Sequence, residues 1–313
     1  MLSVVIPAYN EEENVPILYE KLKKVLDSLG EDYEIIFVDD GSTDGTYQRL
    51  KQLAEKDSRL KVIRFKRNYG QTAAMSAGFE HAKGDVIITL DADLQNDPED
   101  IPILLEKLKE GYHVVSGWRK DRKDPFLSRR LPSTIANWLI SKITGVHLHD
   151  YGCTLKAYRA EVVKDLELFG DMHRFLPALT KRRGAKITEV VVRHHPRMFG
   201  KSKYGIGRTV RVLLDIMLVK FLNEYINKPL YMFGGVGFLL LVLGLISLFY
   251  LIFLKLFFEE SIGRRPLLIL SVLLILAGIQ LISTGLLAEL LIRIYYKTKD
   301  AKPYVIQEKI NFE

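Results

Sequence analysis

Two carboxylates one residue apart, Asp91 and Asp93, end the strongly apolar run Val86-Ile87-Ile88-Thr89-Leu90. At a strand end the side-chain alternation relaxes, and both acids can turn toward one hard cation such as Mg²⁺ or Mn²⁺. Such a cation could neutralise a diphosphate leaving group as a Lewis acid. A bare Asp-x-Asp is a weak motif, equally suited to a capping or solvated turn. Its setting favours chemistry, because Gln95 lies two residues on and Asn96-Asp97-Pro98-Glu99 opens a helix. Asp39 follows Phe37-Val38 and precedes Gly41-Ser42-Thr43-Asp44. Thr43 and Asp44 read as turn and cap residues, while Asp39 reads either as one more of them or as a contact to a base or ribose. Asp150, in His147-Leu148-His149-Asp150-Tyr151-Gly152-Cys153, is a candidate catalytic or orienting carboxylate. Two histidines on an extended segment point the same way, but without an evident third ligand they make a poor zinc site.

Basic residues gather in Arg119, Lys120, Arg122, Lys123, Arg129 and Arg130, and again in Arg197, Lys201 and Lys203. A solvated charge run is the competing reading. These residues follow a candidate strand, and arginine forks suit phosphate oxygens. The net charge of +7 and pI near 9.2 point the same way, to an anionic partner: nucleic acid, a phospholipid surface or a phosphorylated substrate. Nucleic acid is set aside because stacking aromatics between the basic residues are sparse. The single cysteine, Cys153, excludes an internal disulfide framework.

The elements that must position these groups alternate. Candidate strands are 3–6, 34–38, 61–65, 86–90 and 114–116, with helical spacing over 15–29, 46–56, 72–82 and 99–109. This alternation predicts an α/β domain with a parallel, doubly wound sheet that binds ligands at the carboxyl ends of its strands. Polar clusters sit at those ends, Tyr9-Asn10-Glu11 among them. No Gly-x-Gly-x-x-Gly follows the first strand and no Walker lysine motif is present, so phosphate is not held by a glycine-rich loop. The N-terminus reads as a buried strand rather than a cleavable signal peptide.

After position 228 the chain changes character. Residues 229–254 and 266–288 are runs of 26 and 23 residues without a formal charge, each longer as a helix than the roughly 30 Å of a bilayer core. A transmembrane hairpin is expected. Lys201, Lys203, Arg208, Arg211, Lys220 and Lys228 precede it, and Arg293, Lys297, Lys299 and Lys302 follow it. Both ends are therefore expected in the cytoplasm. Residues 206–225 carry an amphipathic basic pattern suited to the headgroup layer, or else to packing on the soluble domain. The expected organisation is a catalytic domain over 1–203, interfacial helices over 204–228, the hairpin over 229–292 and a cytoplasmic tail over 293–313. Gly234, Gly235, Gly237 and Gly244 could pack helices within a chain or between chains, leaving a homo-oligomer open.

Several segments together carry a resemblance. They are Val5-Ile6-Pro7-Ala8-Tyr9-Asn10-Glu11-Glu12-Glu13-Asn14, Val38-Asp39-Asp40-Gly41-Ser42-Thr43-Asp44, Arg67-Asn68-Tyr69-Gly70-Gln71 and Asp91-Ala92-Asp93-Leu94-Gln95. Asp150-Tyr151-Gly152-Cys153, Arg197-Met198-Phe199-Gly200-Lys201-Ser202-Lys203 and the tail around Arg293 and Tyr304 extend the match over nearly the whole chain. The chain resembles the family-2 inverting glycosyltransferases of GT-A fold, a Rossmann-like, mostly parallel sheet. Within them it is similar to the polyisoprenyl-phosphate glycosyltransferases, namely bactoprenol glucosyltransferase-like proteins and, more distantly, dolichol-phosphate mannose synthase. Thr154-Leu155 departs from the glycine and phenylalanine usual before the lysine. The Gln-x-x-Arg-Trp motif of processive synthases is missing.

The resemblance implies transfer of a single sugar from a nucleotide sugar, UDP-glucose or similar, to undecaprenyl or dolichyl phosphate at the membrane. Pro7, Tyr9, Glu11, Asp39, Gln71, Asp91 and Ala92 would hold the nucleotide sugar. Asp91 and Asp93 would hold Mg²⁺ or Mn²⁺. Arg119, Arg129, Arg130, Ser133, Arg197 and Lys203 would grip the lipid phosphate, with Asp93, Gln95 and Asp150 catalytic. A phosphate monoester with a second pKa of about 6 is already largely dianionic at neutral pH, so Asp150 need not be a base and could instead orient an arginine. The alternatives are a GDP-mannose or UDP-aminoarabinose-type donor, or a non-catalytic lipid-binding or flipping partner.

Overall fold

The computed structural model describes residues 1–120, 137, 140–142, 144–164, 166, 168, 172–181, 183–196, 198, 229–258, 261, 265–297 and 304–312. They fall into two compact units, Met1–Val219 with Lys302–Glu313, and Lys220–Ala301. The amphipathic stretch 204–228 lies outside the described residues.

The first unit is built on eight strands: β1 (Leu2–Ala8), β2 (Tyr33–Asp39), β3 (Leu60–Phe65), β4 (Val86–Thr89), β5 (Val114–Trp118), β6 (Lys156–Arg159), β7 (Ile187–Val191) and β8 (Ile306–Ile310). They form one sheet in the order β7-β5-β6-β4-β1-β2-β3-β8. β1 pairs in parallel with β2 and β4, β2 with β3, and β5 with β7. Central strands read as continuous apolar runs because helices cover both faces. Val4, Val5 and Ile6 are buried in β1, as are Ile35 to Val38 in β2. Helix α1 (Asn14–Ser28) turns Val15, Leu18, Leu22, Val25 and Leu26 inward at helical spacing. Helices α2 (Thr46–Ala54), α3 (Gln71–His81) and α4 (Ile101–Lys109) also lie within two residues of their expected starts, and α3 rests on β1 and β2. A short 3₁₀ turn, Pro98–Asp100, precedes α4, with Asp97 capping it by accepting from the Glu99 N–H at 3.0 Å.

Three strands carry no expectation from the sequence. β6 runs antiparallel between β4 and β5, pairing Lys156 with both Thr89 and Ser116. A reversed strand brings its start, not its end, to the carboxyl ends of its neighbours. The segment 150–155 is thereby delivered beside Asp91. β8 belongs to the stretch read as a tail, yet it pairs antiparallel with β3 and forms the sheet edge. Tyr304 stacks on Phe65 with ring centroids 5.0 Å apart and its hydroxyl donates to Glu80 at 2.6 Å. Asn311 Nδ2 donates to the carbonyls of Ala54 and Leu60, both at 2.8 Å.

In the second unit two helices, Pro229–Phe258 and Pro266–Lys297, lie against each other. Both are long and apolar enough to cross a membrane. Large side chains such as Phe249, 66% exposed, and Leu256, 70% exposed, face outward, unlike those of a soluble core helix. The seam is made of small residues. A Cβ on Gly237 would meet the Gly278 carbonyl at 2.7 Å, and one on Gly244 would meet the Ser271 carbonyl at 2.9 Å. Gly237 and Gly244, like Ser271 and Gly278, are seven residues apart and share a helix face. These glycines pack the hairpin internally.

A chain ending at residue 303 leaves the β3 edge unpaired. Its thermal midpoint in detergent should fall by several degrees with increased light scattering; an unchanged midpoint would mean that β8 adds nothing to the sheet.

Candidate active site

The site forms where the loops after β1, β2 and β4 meet. The first two are stitched together: the Asn10 N–H donates to Ser42 Oγ at 3.0 Å, the Thr43 N–H to Asn10 Oδ1 at 2.8 Å, and the Glu11 N–H to Thr46 Oγ1 at 2.8 Å. Pro7 sits in β1 opposite Val38, one residue before Asp39 of β2. Tyr9 follows β1, and the Glu11 carboxylate accepts from Asn14 Nδ2 at 2.6 Å.

Asp39 is fully buried. Its Oδ1 accepts from the Ser42 N–H at 3.1 Å. Its Oδ2 has no hydrogen-bond partner, although Arg64 Nε lies 3.6 Å away and is likewise without one. Burial pushes the Asp39 carboxyl above its ordinary range, against the pull of Ser42 and Arg64. A buried acceptor in this state is suited to a donor brought by a ligand.

Asp40 does different work. Its two oxygens accept from the N–H groups of Tyr69 and Gly70 at 2.7 and 2.9 Å, clamping the 67–71 loop to the end of β2. Gly41, at φ +68°, lets that loop close in, since a Cβ there would meet the Arg67 carbonyl carbon at 2.4 Å. Gln71, at the start of α3, then reaches Asp91, its Nε2 donating to Oδ1 at 2.7 Å.

Past β4 the backbone turns sharply: Leu94 takes φ +61°, and Asp93 Oδ1 accepts from the Gln95 N–H at 3.1 Å. A left-handed leucine costs about 1 kcal/mol or more, and such strain gathers at functional sites. The turn seats Ala92 and Asp93 in buried positions beside Asp91. Burial first, then repulsion from Asp93, pushes the Asp91 carboxyl up to about 7.

Asp150 is buried and bidentate to Arg119, with Nε donating to Oδ2 at 2.7 Å and Nη2 to Oδ1 at 3.0 Å. The Gly152 N–H adds a bond to Oδ1 at 3.1 Å. Burial opposes the guanidinium charge, but the Asp150 carboxylate outweighs it and holds Arg119 firmly protonated. Lys156 lies within electrostatic reach of Asp91 and Asp150. Arg119 and Lys156 both act on Asp91, and Thr154 hydrogen-bonds it.

A divalent cation fits this donor set. Asp91 and Asp93 offer hard oxygens one residue apart, and among the described residues they join no group of three metal-ligating acids, histidines or cysteines. Two carboxylates leave coordination positions to water and phosphate, the usual arrangement for Mg²⁺. His149 is committed elsewhere, stacked on Trp118 at 4.2 Å and paired with Glu189.

The structure brings Pro7, Tyr9, Glu11, Asp39, Gln71, Asp91, Ala92, Asp93, Gln95, Arg119 and Asp150 to one edge of the sheet. Arg129, Arg130, Ser133, Arg197 and Lys203 lie outside the described residues. Sequence reading missed Asp40, Arg64, Asn96 and Lys156. Asn96 Nδ2 donates to Thr154 Oγ1 at 2.8 Å, tying the β4 loop to the 150–155 segment. Their signals were slight, since each depends on the placement of β3 or β6.

Acids at the ends of β2 and β4, with a reversed strand alongside carrying an acid onto an arginine, define a glycosyltransferase of GT-A fold. The chain belongs to glycosyl transferase family 2, whose family model matches residues 3–167. It is 44% identical over 98% of its length to the dodecaprenyl-phosphate galacturonate synthase of Rhizobium johnstonii, covering 92% of that protein. It is 39% identical, over 98% of its length and 92% of the relative, to the undecaprenyl-phosphate 4-deoxy-4-formamido-L-arabinose transferase of Shewanella sediminis. The fold matches glucosyl-3-phosphoglycerate synthase of Mycobacterium tuberculosis, crystallised with Mn²⁺, UDP and glucosyl-3-phosphoglycerate. That likeness has a TM-score of 0.55 and 21% identity, over 70% of this chain and 79% of that one.

Protons would compete with a divalent cation held by Asp91. Its folded pKa lies above the unfolded value, so its charge opposes folding increasingly as pH rises from the ordinary carboxylate range toward about 7. Mn²⁺ should therefore raise the melting temperature more at pH 8 than at pH 6, and Asp91→Asn should remove that difference without lowering the metal-free midpoint. A pH-independent Mn²⁺ shift would exclude Asp91 as a ligand.

Proposed function

We propose that this enzyme transfers one sugar, with inversion, from a UDP-sugar to the phosphate of a polyprenyl phosphate at the cytoplasmic membrane face. Two relatives of about 40% identity bear names that specify such an acceptor. The basic residues on both sides of the apolar hairpin support the cytoplasmic orientation of the catalytic domain and of both flanks. The division into a catalytic domain to residue 203, interfacial helices to 228 and a hairpin to 292 belongs to the same reading. β8 adds a strand from the tail to the catalytic domain.

The observation that carries the acceptor is the Arg119–Asp150 fork. Both Asp150 oxygens are taken by the guanidinium, which suits an orienting carboxylate rather than a free base. A sugar-hydroxyl acceptor needs a base; a phosphate dianion does not. Arg119 supplies a cation where that phosphate would approach; the assignment of Arg129, Arg130, Ser133, Arg197 and Lys203 to the same phosphate rests on the resemblance. On the donor side, Asp39 Oδ2 suits the imide N–H of uracil, with Pro7, Tyr9 and Glu11 around the nucleoside. Gln71 holds Asp91, and Asp91 and Asp93 would hold Mg²⁺ or Mn²⁺ against the diphosphate. The cation supplies charge neutralisation of the leaving group. Gln95 lies next to Asp93.

The relatives' names specify galacturonate and formamido-arabinose, so the donor panel should hold UDP-uronate and UDP-aminosugar derivatives beside UDP-glucose, with GDP-mannose as the out-group. Membranes containing the protein, incubated with radiolabelled donors and undecaprenyl phosphate, should give a lipid-linked product that chelator abolishes and metal restores. Transfer from no donor would favour a non-catalytic lipid-binding role. Asp93→Asn should abolish transfer, whereas Asp150→Asn should retain measurable turnover with a raised KM for the lipid phosphate. Equal and complete loss in both, with UDP binding intact, would make Asp150 the base.

A further inference from the structure

Lys156 is 2% exposed, and its ammonium is spent inside the protein on backbone. Nζ donates to the Tyr151 carbonyl at 3.2 Å and also to the Cys153 carbonyl. Among the described residues no carboxylate lies within ion-pair distance of it; Asp150 and Asp91 act on it only at longer range. A buried ammonium normally pairs with an acid. Here it sits at the first position of β6, and the carbonyls it collects flank Gly152, two residues from Asp150. Lysine offers three donors in a compact head. Turning two carbonyls of a tight loop inward around that head fixes the loop's shape.

The loop's shape sets the direction of Asp150. The Gly152 N–H bonds back to Asp150 Oδ1, and Asp150 in turn takes both donors of the Arg119 fork. The segment is otherwise moored to β4, by Thr89 Oγ1 donating to the Thr154 carbonyl at 2.7 Å and by the Asn96–Thr154 bond. Those moorings lie on the far side of Cys153 from Asp150. Between Asp150 and Cys153 the Tyr151 side chain is anchored, its hydroxyl donating to the Val146 carbonyl at 2.6 Å, while Lys156 holds the backbone carbonyls on either side of Gly152.

We propose that Lys156 is a positioning residue for the acceptor: by gathering the Tyr151 and Cys153 carbonyls it holds Asp150, and through Asp150 the Arg119 guanidinium, in the geometry that receives the lipid phosphate. The proposal rests on the assignment of Arg119 to that phosphate. It differs from a general structural role in its direction, since the acceptor side should weaken while the donor side does not.

The test compares Lys156→Met, which keeps the length and removes the donors, with Lys156→Arg, which restores donors to the carbonyls. The full-length protein in detergent is assayed with undecaprenyl phosphate, and UDP binding in Mn²⁺ is followed by calorimetry. Lys156→Met should raise the acceptor KM about ten- to hundredfold, the loss expected when charged hydrogen bonds are removed, with UDP affinity within about twofold of the parent, inside the usual scatter of such comparisons. Lys156→Arg should recover most of it. On an Arg119→Lys background, Lys156→Met should add little, because the two residues act in one chain of contacts. An unchanged acceptor KM, or equal losses in acceptor KM and UDP affinity, overturns the proposal. If Arg119→Lys itself leaves acceptor KM unchanged, the phosphate assignment fails first. Should Lys156→Met not fold, Lys156→Gln retains a donor head, and the same divergence of acceptor KM from UDP affinity decides.

Discussion

Carboxylates gathered at one sheet edge repel each other, and burial makes their charges dearer still. Much of the local structure of this enzyme answers to that constraint. Asp91 and Asp93 lie one residue apart after a strand with no room for a side chain of opposite charge between them. Protein groups relieve Asp91: Gln71 lends an amide, Thr154 a hydrogen bond, and Arg119 and Lys156 act from a distance. In the function proposed above, a cation and the phosphates that accompany it add to this, and a site fully neutralised by its own side chains would have little affinity for either.

The rigid surroundings follow from the same requirement. Carboxylates held this close together need backbone that cannot relax around them. Asp40 and Gly41 lock the 67–71 loop to β2, and Asn10 and Ser42 lock the first loop to the second. On the other side, the Asn96–Thr154 bond joins the turn after β4 to the segment that carries Asp150. Arg193 extends this join outward: its N–H bonds to Asp100, and its guanidinium pairs with Asp97, Glu99 and Asp100. The loops after β1, β2 and β4 and the segment carrying Asp150 are thus held in one hydrogen-bonded frame.

Much of this was legible in the sequence, for definable reasons. β1 to β5 and their helices are local: the strands are mostly apolar and buried, α1, α2 and α4 turn one apolar stripe inward, and the starts fall within two residues of expectation. Asp39, Asp91 and Asp93 could be located because parallel strands place their ends together. What could not be read depended on pairing between distant segments. Lys156-Ala157-Tyr158-Arg159 is too short and too polar at its ends to announce a central strand, so the burial of Lys156 was invisible. Residues 306–310, with Glu308 and Lys309 among five, carry the charge typical of an edge strand, which the sequence alone does not separate from a solvated tail. Asp40 was hidden by its neighbour, since two adjacent aspartates at a strand end give no clue to which faces the ligand and which the backbone.

The pairing of β8 with β3 has a consequence for biosynthesis. A ribosome completes β1 to β7 first, then the apolar hairpin, and only then residues 306–310. Through that interval β3 presents an open edge, and the sheet closes after the two long apolar helices have been made. Sheet completion is thus timed to follow synthesis of the hairpin. A chain whose hairpin stalled before release would keep an unpaired strand exposed to chaperones and proteases, giving quality control a signal tied to the membrane segment rather than to the catalytic acids.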